Sequence, residues 1–344
     1  MKQIWSLVIL LATLLFGCEG HASFNSHKQS DSLKLSSQIW QSVMVTQANQ
    51  YMILLDPHGE AEMILNKYSS LAKKNKTSLF ATKYIYNGMP SERVSQIIDS
   101  LVVSLHQLNS ANKIILAGFS GGAKYAQYYA SSHSHIDRLI LCGAISEQKT
   151  PIIPCLLFCG ERDMNYASMC LQQSENYYKI VWPGSHAWPD TNTFKLAFKS
   201  VVSWGFERNK SLKPDAKQLE KELQLQRSYL EQYGSFSDMD WTQIVHHLSM
   251  SDTDLIAIRC KGVLSMTSYL YTDHFIKTGQ LTQAAKYCQR YLDVDPSNAD
   301  AFYFKALIEA KQGKKIESKT SFAKALSLGW HETADKKKST ELTF

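Results

Sequence analysis

The stretch KIILAGFSGGA, residues 113–123, joins an apolar run typical of a β-strand to small residues typical of the start of a helix. Between them lies Gly118-Phe119-Ser120-Gly121-Gly122, a Gly-x-Ser-x-Gly pattern. At such a turn the serine takes a strained conformation that exposes its hydroxyl, and the glycines let the strand and the helix pass close together. The pattern alone occurs by chance. Its position between a strand and a helix predicts a nucleophilic Ser120 with the Gly121 amide beside it.

Two later strand ends supply the partners that a serine nucleophile needs. A serine hydroxyl needs a base to take its proton, and that base needs a carboxylate to orient it. The run 154–159 ends in Gly160-Glu161-Arg162-Asp163, and the run 179–182 ends in Pro183-Gly184-Ser185-His186. We expect Asp163 and His186 to project from the carboxyl ends of parallel strands, at the edge where Ser120 lies. The alternative acid is Glu161, and the alternative histidines are His106, His133 and His135.

The order serine, acid, histidine resembles that of the α/β-hydrolase family, over about residues 42–204. The resemblance implies a second amide, in the loop after an earlier strand, that stabilises the negative oxygen formed during acyl transfer. Residues 51–55 run into Asp56-Pro57-His58-Gly59; His58-Gly59 resembles the family's oxyanion loop, and Asp56-Pro57 departs from it. We therefore expect Gly121 and an amide of His58 or Gly59 to hold the oxyanion. Weaker candidates for substrate binding are Asn87, Asn165 and Tyr166.

The pattern around these motifs predicts an α/β fold. Apolar runs without polar alternation, separated by amphipathic stretches, are typical of a mostly parallel sheet covered by helices on both faces. In the stretch 91–108, apolar residues recur at helical spacing. We predict a catalytic domain over 41–207. Its predicted strands are 42–46, 51–55, 78–86, 113–117, 138–142, 153–159 and 179–182. Its predicted helices are 61–75, 91–108, 121–131, 167–177 and 192–204, the last capped by Asp190.

The amino terminus resembles a bacterial lipoprotein signal. Lys2 precedes the apolar run 4–16, which is short for a membrane span, and the run ends in Leu15-Phe16-Gly17-Cys18. The resemblance implies a signal peptide over 1–17, a lipid on Cys18 and a polar tether over 18–40. The mature protein would then be held by acyl chains on a membrane of the cell envelope, facing the periplasm or the exterior. The alternative is an ordinary secretory signal.

The carboxyl-terminal third predicts an all-α region. Residues 208–264 suggest a helical connector. Gly279 and Gly313 lie 34 residues apart, and Pro296 follows the first unit. This spacing and punctuation resemble the tetratricopeptide repeat, over about 265–330 within a domain of 265–344. The resemblance implies a protein or peptide partner on the repeats. The alternative to the repeat is a generic helical hairpin, and the alternative to partner binding is a structural buttress on the catalytic domain.

Composition limits the remaining classes of function. The chain has 344 residues and a net charge of +6, and its basic residues form no stripe, so nucleic-acid binding is not expected. The cysteines beyond Cys18 have no metal-ligand spacing, so neither a metal nor a cofactor is expected. The preferred function is a serine hydrolase with a shallow, open site for a small or polymer-attached ester. The alternatives are a serine peptidase and a catalytically silent scaffold.

Overall fold

The computed structural model describes residues 39–146, 150–210, 214–250, 253–336 and 339–342. The predicted signal peptide, Cys18 and nearly all of the tether lie outside these ranges. None of the helices in the described ranges is long and apolar enough to cross a membrane.

A seven-stranded sheet forms the centre of the first 200 residues, in the order β1-β3-β2-β4-β5-β6-β7. β1 is antiparallel to β3, and every other pair is parallel. The mostly parallel sheet predicted from the sequence is therefore confirmed. The strands are β1 (Gln41–Val43), β2 (Gln50–Leu55), β3 (Thr77–Ala81), β4 (Lys113–Phe119), β5 (Arg138–Cys142), β6 (Cys155–Gly160) and β7 (Tyr177–Trp182).

Helices cover both faces of this sheet. In β2, Tyr51, Ile53 and Leu55 pack into the core on one face, whereas Met52 and Leu54 pack into the core on the other. Because both faces are buried, the strands are apolar without alternation, as in the sequence. The helices are α1 (Ala61–Lys74), α2 (Ser91–Leu108), α3 (Gly121–Ala130), α4 (Tyr166–Leu171), α5 (Thr191–Phe194) and α6 (Val201–Lys210).

The single helix predicted over 192–204 is wrong. Asp190 caps α5 by accepting from the Thr193 amide, as predicted, but a 3₁₀ turn follows and the backbone is extended at Lys199 before α6 begins. The Lys199 carbonyl accepts a hydrogen bond from Arg138 Nη1 at 2.7 Å. In a continuous helix that carbonyl would accept from an amide of the next turn. The helix is therefore interrupted where the Lys199 carbonyl bonds to Arg138, a distant residue that the local sequence pattern does not indicate.

Within the described ranges six more helices follow, and most of their buried apolar residues form a second core. Two of their turns are alike: Gly279 and Gly313 have φ of 73° and 77°, and the amide after each donates to the fifth residue before it, at 2.9 Å in both cases. The predicted boundaries at 207/208 and 264/265 fall inside helices α6 and α9. The helices are α7 (Ala216–Gln232), α8 (Asp238–Ser249), α9 (Leu255–Lys277), α10 (Leu281–Val294), α11 (Ala299–Lys311) and α12 (Lys315–Ser327).

Candidate active site

Ser120 lies in a strained turn between β4 and α3. Its φ is 51° and its ψ is −120°, a conformation that costs free energy for a residue with a side chain. The two flanking glycines of the motif are needed for packing. A Cβ on Gly118 would clash with the Gly122 backbone, and a Cβ on Gly122 would clash with the Leu55 carbonyl. The strained turn directs the serine hydroxyl to the carboxyl edge of the sheet.

His186 links Ser120 to Asp163. Its Nε2 lies 2.9 Å from Ser120 Oγ, and its Nδ1 lies 3.0 Å from each carboxylate oxygen of Asp163. An ionised carboxylate only accepts, so Nδ1 carries the proton and Nε2 is free to accept from the serine hydroxyl. Asp163 is 1% exposed, whereas His186 remains partly open to solvent. The geometry is that of a nucleophile, a base and an orienting acid.

The loop after β6 is fixed around Asp163. The Asn165 amide donates to Asp163 Oδ1 at 2.8 Å, and the Asn165 side chain donates to the Gly143 carbonyl at 2.7 Å. Gly143, which follows β5 directly, has a φ of 68°, and a Cβ there would lie 3.0 Å from Asp163 Oδ2 and 3.2 Å from His186 Nδ1. Asn165 thus holds the loop that carries the acid, and its role in substrate binding stays a prediction. Gly143 was not among the predicted site residues, although its place at a strand end is a usable signal.

Tyr166, the next residue along the chain, packs toward the helical region. Its side chain is buried, and the Arg259 guanidinium lies 4.5 Å from the centre of its ring. Desolvation raises the pKa of its phenol. The phenol thus packs in the interior beside a cation from another part of the chain, and the role of Tyr166 in substrate binding stays a prediction.

The His58-Gly59 loop does not present its amides to Ser120. The His58 amide donates to the Asp56 carboxylate at 2.8 Å, and the Gly59 amide donates to the Asp56 carbonyl at 3.3 Å. Asp56 is buried and also accepts from Trp188 Nε1 at 2.8 Å. Because the buried carboxylate organises its own loop, the expectation that His58 or Gly59 holds an oxyanion is not met in this structure.

Asn87, in the loop after β3, packs against Gly121. The Gly121 amide, at the first position of α3, has no acceptor among the described residues. The Asn87 carboxamide packs against the Gly121 α-carbon so closely that a Cβ there would clash with it. The Asn87 backbone amide is bonded to the Pro57 carbonyl at 2.8 Å, which fixes the loop. Asn87 is therefore the side chain that borders the Gly121 amide.

The helical region contacts the acid loop through a buried cation. Arg259 of α9 donates to both carboxylate oxygens of Glu222 of α7, at 2.7 and 2.6 Å. Its third bond goes to the Glu161 carbonyl, at 2.7 Å, two residues before the acid. Gln226 donates to the Met164 carbonyl at 3.3 Å, one residue after the acid. We call this contact, formed by Glu222, Gln226 and Arg259 with residues 161–164, the acid-side junction.

The segment after α12 contacts the opposite side of the site. The Ala334 amide donates to the His58 carbonyl at 3.1 Å, and Asp335 Oδ2 lies 2.8 Å from His58 Nδ1. His331 Nε2 lies 2.7 Å from Glu60 Oε1. We call this contact, formed by residues 331–335 with His58 and Glu60, the tail-side junction. The edge of the sheet that carries Ser120 is thus flanked by the helical region on two sides.

The alternative residues lie away from the triad. The Glu161 carbonyl serves the acid-side junction, and the His133 ring stacks on Tyr129 at 3.9 Å. The ring of His106, near the end of α2, lies 5.4 Å from the ring of His135. None of these groups is hydrogen-bonded to Ser120 or His186 in the part of the chain that the structure describes.

No protein-family model matches the sequence, and no curated protein matches it. Solved structures do match. The chain is similar to esterase PE8, with 14% identity and a TM-score of 0.36, over 46% of this chain and 95% of that one. It is similar to a monoacylglycerol lipase of Paleococcus ferrophilus, with 14% identity and a TM-score of 0.38, over 48% of this chain and 98% of that one.

A third similar structure is XC6422 of Xanthomonas campestris, an α/β serine hydrolase without a lid. The identity is 12% and the TM-score 0.39, over 48% of this chain and 87% of that one. Identity at this level does not bear on activity. The strand order, the strand–serine–helix turn and the helices on both faces give the first part of the described chain an α/β-hydrolase fold, followed by a helical region.

Proposed function

We propose that the protein is a serine hydrolase that cleaves carboxylic esters through an acyl-enzyme. The observation that carries the proposal is the continuous set of hydrogen bonds from Ser120 Oγ through His186 to the buried Asp163. A strained serine, a correctly oriented imidazole and a buried carboxylate together are costly to maintain, and their common use is nucleophilic attack on a carbonyl.

The mechanism follows from the positions of these atoms. His186 Nε2 takes the proton of Ser120 as Oγ attacks the carbonyl carbon, and Asp163 stabilises the imidazolium that forms. His186 then returns the proton to the leaving alkoxide, which departs as the alcohol. Water, activated by the same imidazole, attacks the acyl-enzyme and releases the acid.

The oxyanion is held by the Gly121 amide and by the Asn87 side chain. The Gly121 amide has no other acceptor in the described ranges, and the Asn87 carboxamide lies directly against Gly121. The Asn87 atom nearest to Gly121 is Oδ1. A half-turn of the carboxamide exchanges Oδ1 and Nδ2, which are similar in size, and presents the amide nitrogen as a donor instead. We expect Asn87→Ala to lower kcat by about 100-fold. Asn87→Gln, which keeps a displaced amide, should not restore the rate, and an unchanged kcat in Asn87→Ala would exclude Asn87 as the donor.

The test of the main proposal is covalent labelling. The protein should react with a fluorophosphonate probe and hydrolyse short acyl esters. Ser120→Ala should abolish both signals. Asp163→Asn should keep the fold, measured by circular dichroism, while lowering kcat by about 10⁴-fold. Full ester hydrolysis by Ser120→Ala would overturn the proposal.

A serine peptidase uses the same three groups, and a panel of ester and peptide substrates separates the two activities. An intact triad that neither reacts with the probe nor hydrolyses any substrate would favour the scaffold alternative. The two junctions support a role of the helical region in holding the catalytic loops. We also propose a protein or peptide partner that binds the repeat-like turns of the helical region. A pull-down with the mature chain as bait would test for such a partner.

We also propose attachment to a membrane of the cell envelope through a lipid on Cys18. The support is the apolar run 4–16 followed by Leu15-Phe16-Gly17-Cys18. Metabolic labelling with a fatty-acid analogue should mark the full chain and not Cys18→Ala, and secretion of an unlabelled protein would favour an ordinary signal peptide.

A further inference from the structure

A cavity of about 500 Å³ opens at the amino-terminal edge of the sheet, the edge opposite Ser120. Its walls come from the starts of β2, β4 and β5, and from the turn that separates the 3₁₀ segment from α6. The charged residues that line it are Lys113, Arg138 and Lys199, and its lining contains no Asp or Glu. Three cations therefore face one space without a carboxylate among its walls.

Arg138 is the unusual member of this group. It is only 7% exposed, yet its guanidinium donates only to neutral oxygens, the side chain of Gln50 and the carbonyl of Lys199. Its Nε is buried and has no partner within the described ranges. The carboxylate of Asp137 acts on it from a distance, but that carboxylate is bonded to the Ile114 amide at 2.7 Å. A buried cation is expensive unless an anion accompanies it, so the site lacks its counter-charge.

Two further features point to an anion. The side chains of Lys113 and Lys199 are exposed at the mouth, and neither has a hydrogen-bond or ion-pair partner in the part of the chain described. The first turn of α6, at Val201, forms one wall, so the amino terminus of a ten-residue helix faces the same space. Free amides and the helix dipole at such a terminus attract negative charge.

We propose that this cavity binds the phosphate group of a phosphate ester. Arg138 lies at its floor, Lys113 and Lys199 at its mouth, and the start of α6 along its wall. Three cations and a helix terminus match a multiply charged oxyanion better than a single carboxylate. The cavity volume also exceeds that of a bare phosphate, which is comparable to a few water molecules of about 30 Å³ each, so the esterified alcohol also fits. The phosphate can belong to a small soluble ester or to a phospholipid headgroup.

The experiment uses the mature full chain and does not depend on its activity. Glycerol 3-phosphate, titrated at low ionic strength, should raise the thermal midpoint and bind in calorimetry. The variant Lys113→Gln/Lys199→Gln changes exposed side chains only, and it should bind roughly tenfold or more weakly. The variant Lys217→Gln/Lys221→Gln removes two exposed cations of α7 and should bind like the original chain.

A second arm distinguishes the sources of phosphate. A chain without the lipid, made with Cys18→Ala, is sedimented with vesicles of phosphatidylglycerol or of phosphatidylcholine. Binding to phosphatidylglycerol vesicles that the Lys113/Lys199 variant loses identifies a headgroup site, and binding to glycerol 3-phosphate alone identifies a soluble ester. Absence of binding to both probes would overturn the proposal, as would equal binding by the Lys113/Lys199 variant.

Discussion

The two junctions that join the helical region to the catalytic edge are built from different chemistry. The acid-side junction is dry: the side chains of Arg259 and Glu222 are 5% and 0% exposed. Arg259 donates to both carboxylate oxygens of Glu222 and to the Glu161 carbonyl. The tail-side junction is wet: the His331 side chain is 64% exposed, and that of His58 is 32% exposed. The acid-side junction is built on a buried arginine, and the tail-side junction on two partly or largely exposed histidines.

This difference indicates different tasks. A buried ion pair broken on one side leaves a charge without solvent, so the acid-side junction is expensive to open and holds the Asp163 loop in one position. An exposed pair exchanges easily with water and contributes little free energy. The acid-side junction should therefore determine stability and activity together, whereas the tail-side junction should adjust stability alone.

The largest effect is expected from removing both junctions. A chain that ends at Lys210 loses α7, whose Leu219 is buried in the same core as Met169 of α4. Exposing this surface and leaving the acid loop without its partners should cost about 3–5 kcal/mol or more, which lowers the melting temperature by roughly 10 °C. Differential scanning fluorimetry on the mature chain and on the fragment measures the shift. A fragment with an unchanged melting temperature and full esterase activity would show that the helical region is an independent adaptor.

Breaking the acid-side junction alone should come second. Arg259→Met keeps most of the side-chain volume but leaves Glu222 buried and unpaired, so the free energy of unfolding should fall by about 3–5 kcal/mol. The turnover number should fall as well, with little change in KM, because the Glu161 carbonyl is released next to Asp163. Urea unfolding and ester kinetics measure the two effects.

The matched control is Arg259→Met combined with Glu222→Leu, which removes both charges. It should recover much of the lost stability, since two apolar side chains replace the pair. A loss below about 1 kcal/mol in the single variant would contradict a structural role for this pair.

The sequence predicted the site better than it predicted the junctions, for a physical reason. Ser120, Asp163 and His186 each follow an apolar strand, and parallel strands bring their carboxyl ends to one edge. Local pattern was therefore enough to bring together three residues far apart in the chain. By contrast, Arg259 donates a hydrogen bond to the Glu161 carbonyl, 98 residues earlier in the chain. Nothing in the local pattern of α9 indicates that partner.

The contacts of the loops at the site were predicted less well. The His58-Gly59 motif was expected to present an amide, but the preceding Asp56 bonds to that amide itself, as Asp residues often do in turns. Asn165 and Tyr166 were assigned to substrate because they follow the acid. In the structure the Asn165 side chain donates to the Gly143 carbonyl and the Tyr166 ring packs beside Arg259, and the local sequence indicates neither contact.

Breaking the tail-side junction should have a smaller effect, confined to stability. Asp335→Asn removes the charge that faces His58 while keeping the size of the side chain, and we expect a loss of about 1 kcal/mol. Ester hydrolysis should stay within about twofold, because the His58 loop uses its amides internally. Glu332→Gln, an exposed neighbour, is the control and should change neither property. A large fall in kcat for Asp335→Asn would mean that the His58 loop takes part in the reaction.

The smallest effect is a dependence on pH that only the tail-side junction should show. The hydrogen bond that His331 donates to the Glu60 carboxylate is the largest of the causes that raise the pKa of His331 above its ordinary 6.5. Its contribution to stability is therefore complete below pH 6.5 and is lost as the pH rises through the raised value. Burial acts to raise the pKa of Asp335, but the bonds from His58 and Thr333 outweigh it and lower that pKa below 3.8. The Asp335 contribution is thus present above pH 3.8 and is lost only in stronger acid.

The tail-side junction should accordingly be strongest between about pH 4 and 6.5. Because His331 is exposed, the free energy involved is at most about 0.5 kcal/mol. His331→Gln should destabilise the protein at pH 5.5 and have no effect at pH 8.5, as measured by urea unfolding at both values. Arg259→Met provides the contrast, since its cost should be the same at both values. If His331→Gln cost as much at pH 8.5 as at pH 5.5, protonation of His331 would have no part in the contact, and the two junctions would differ in exposure alone.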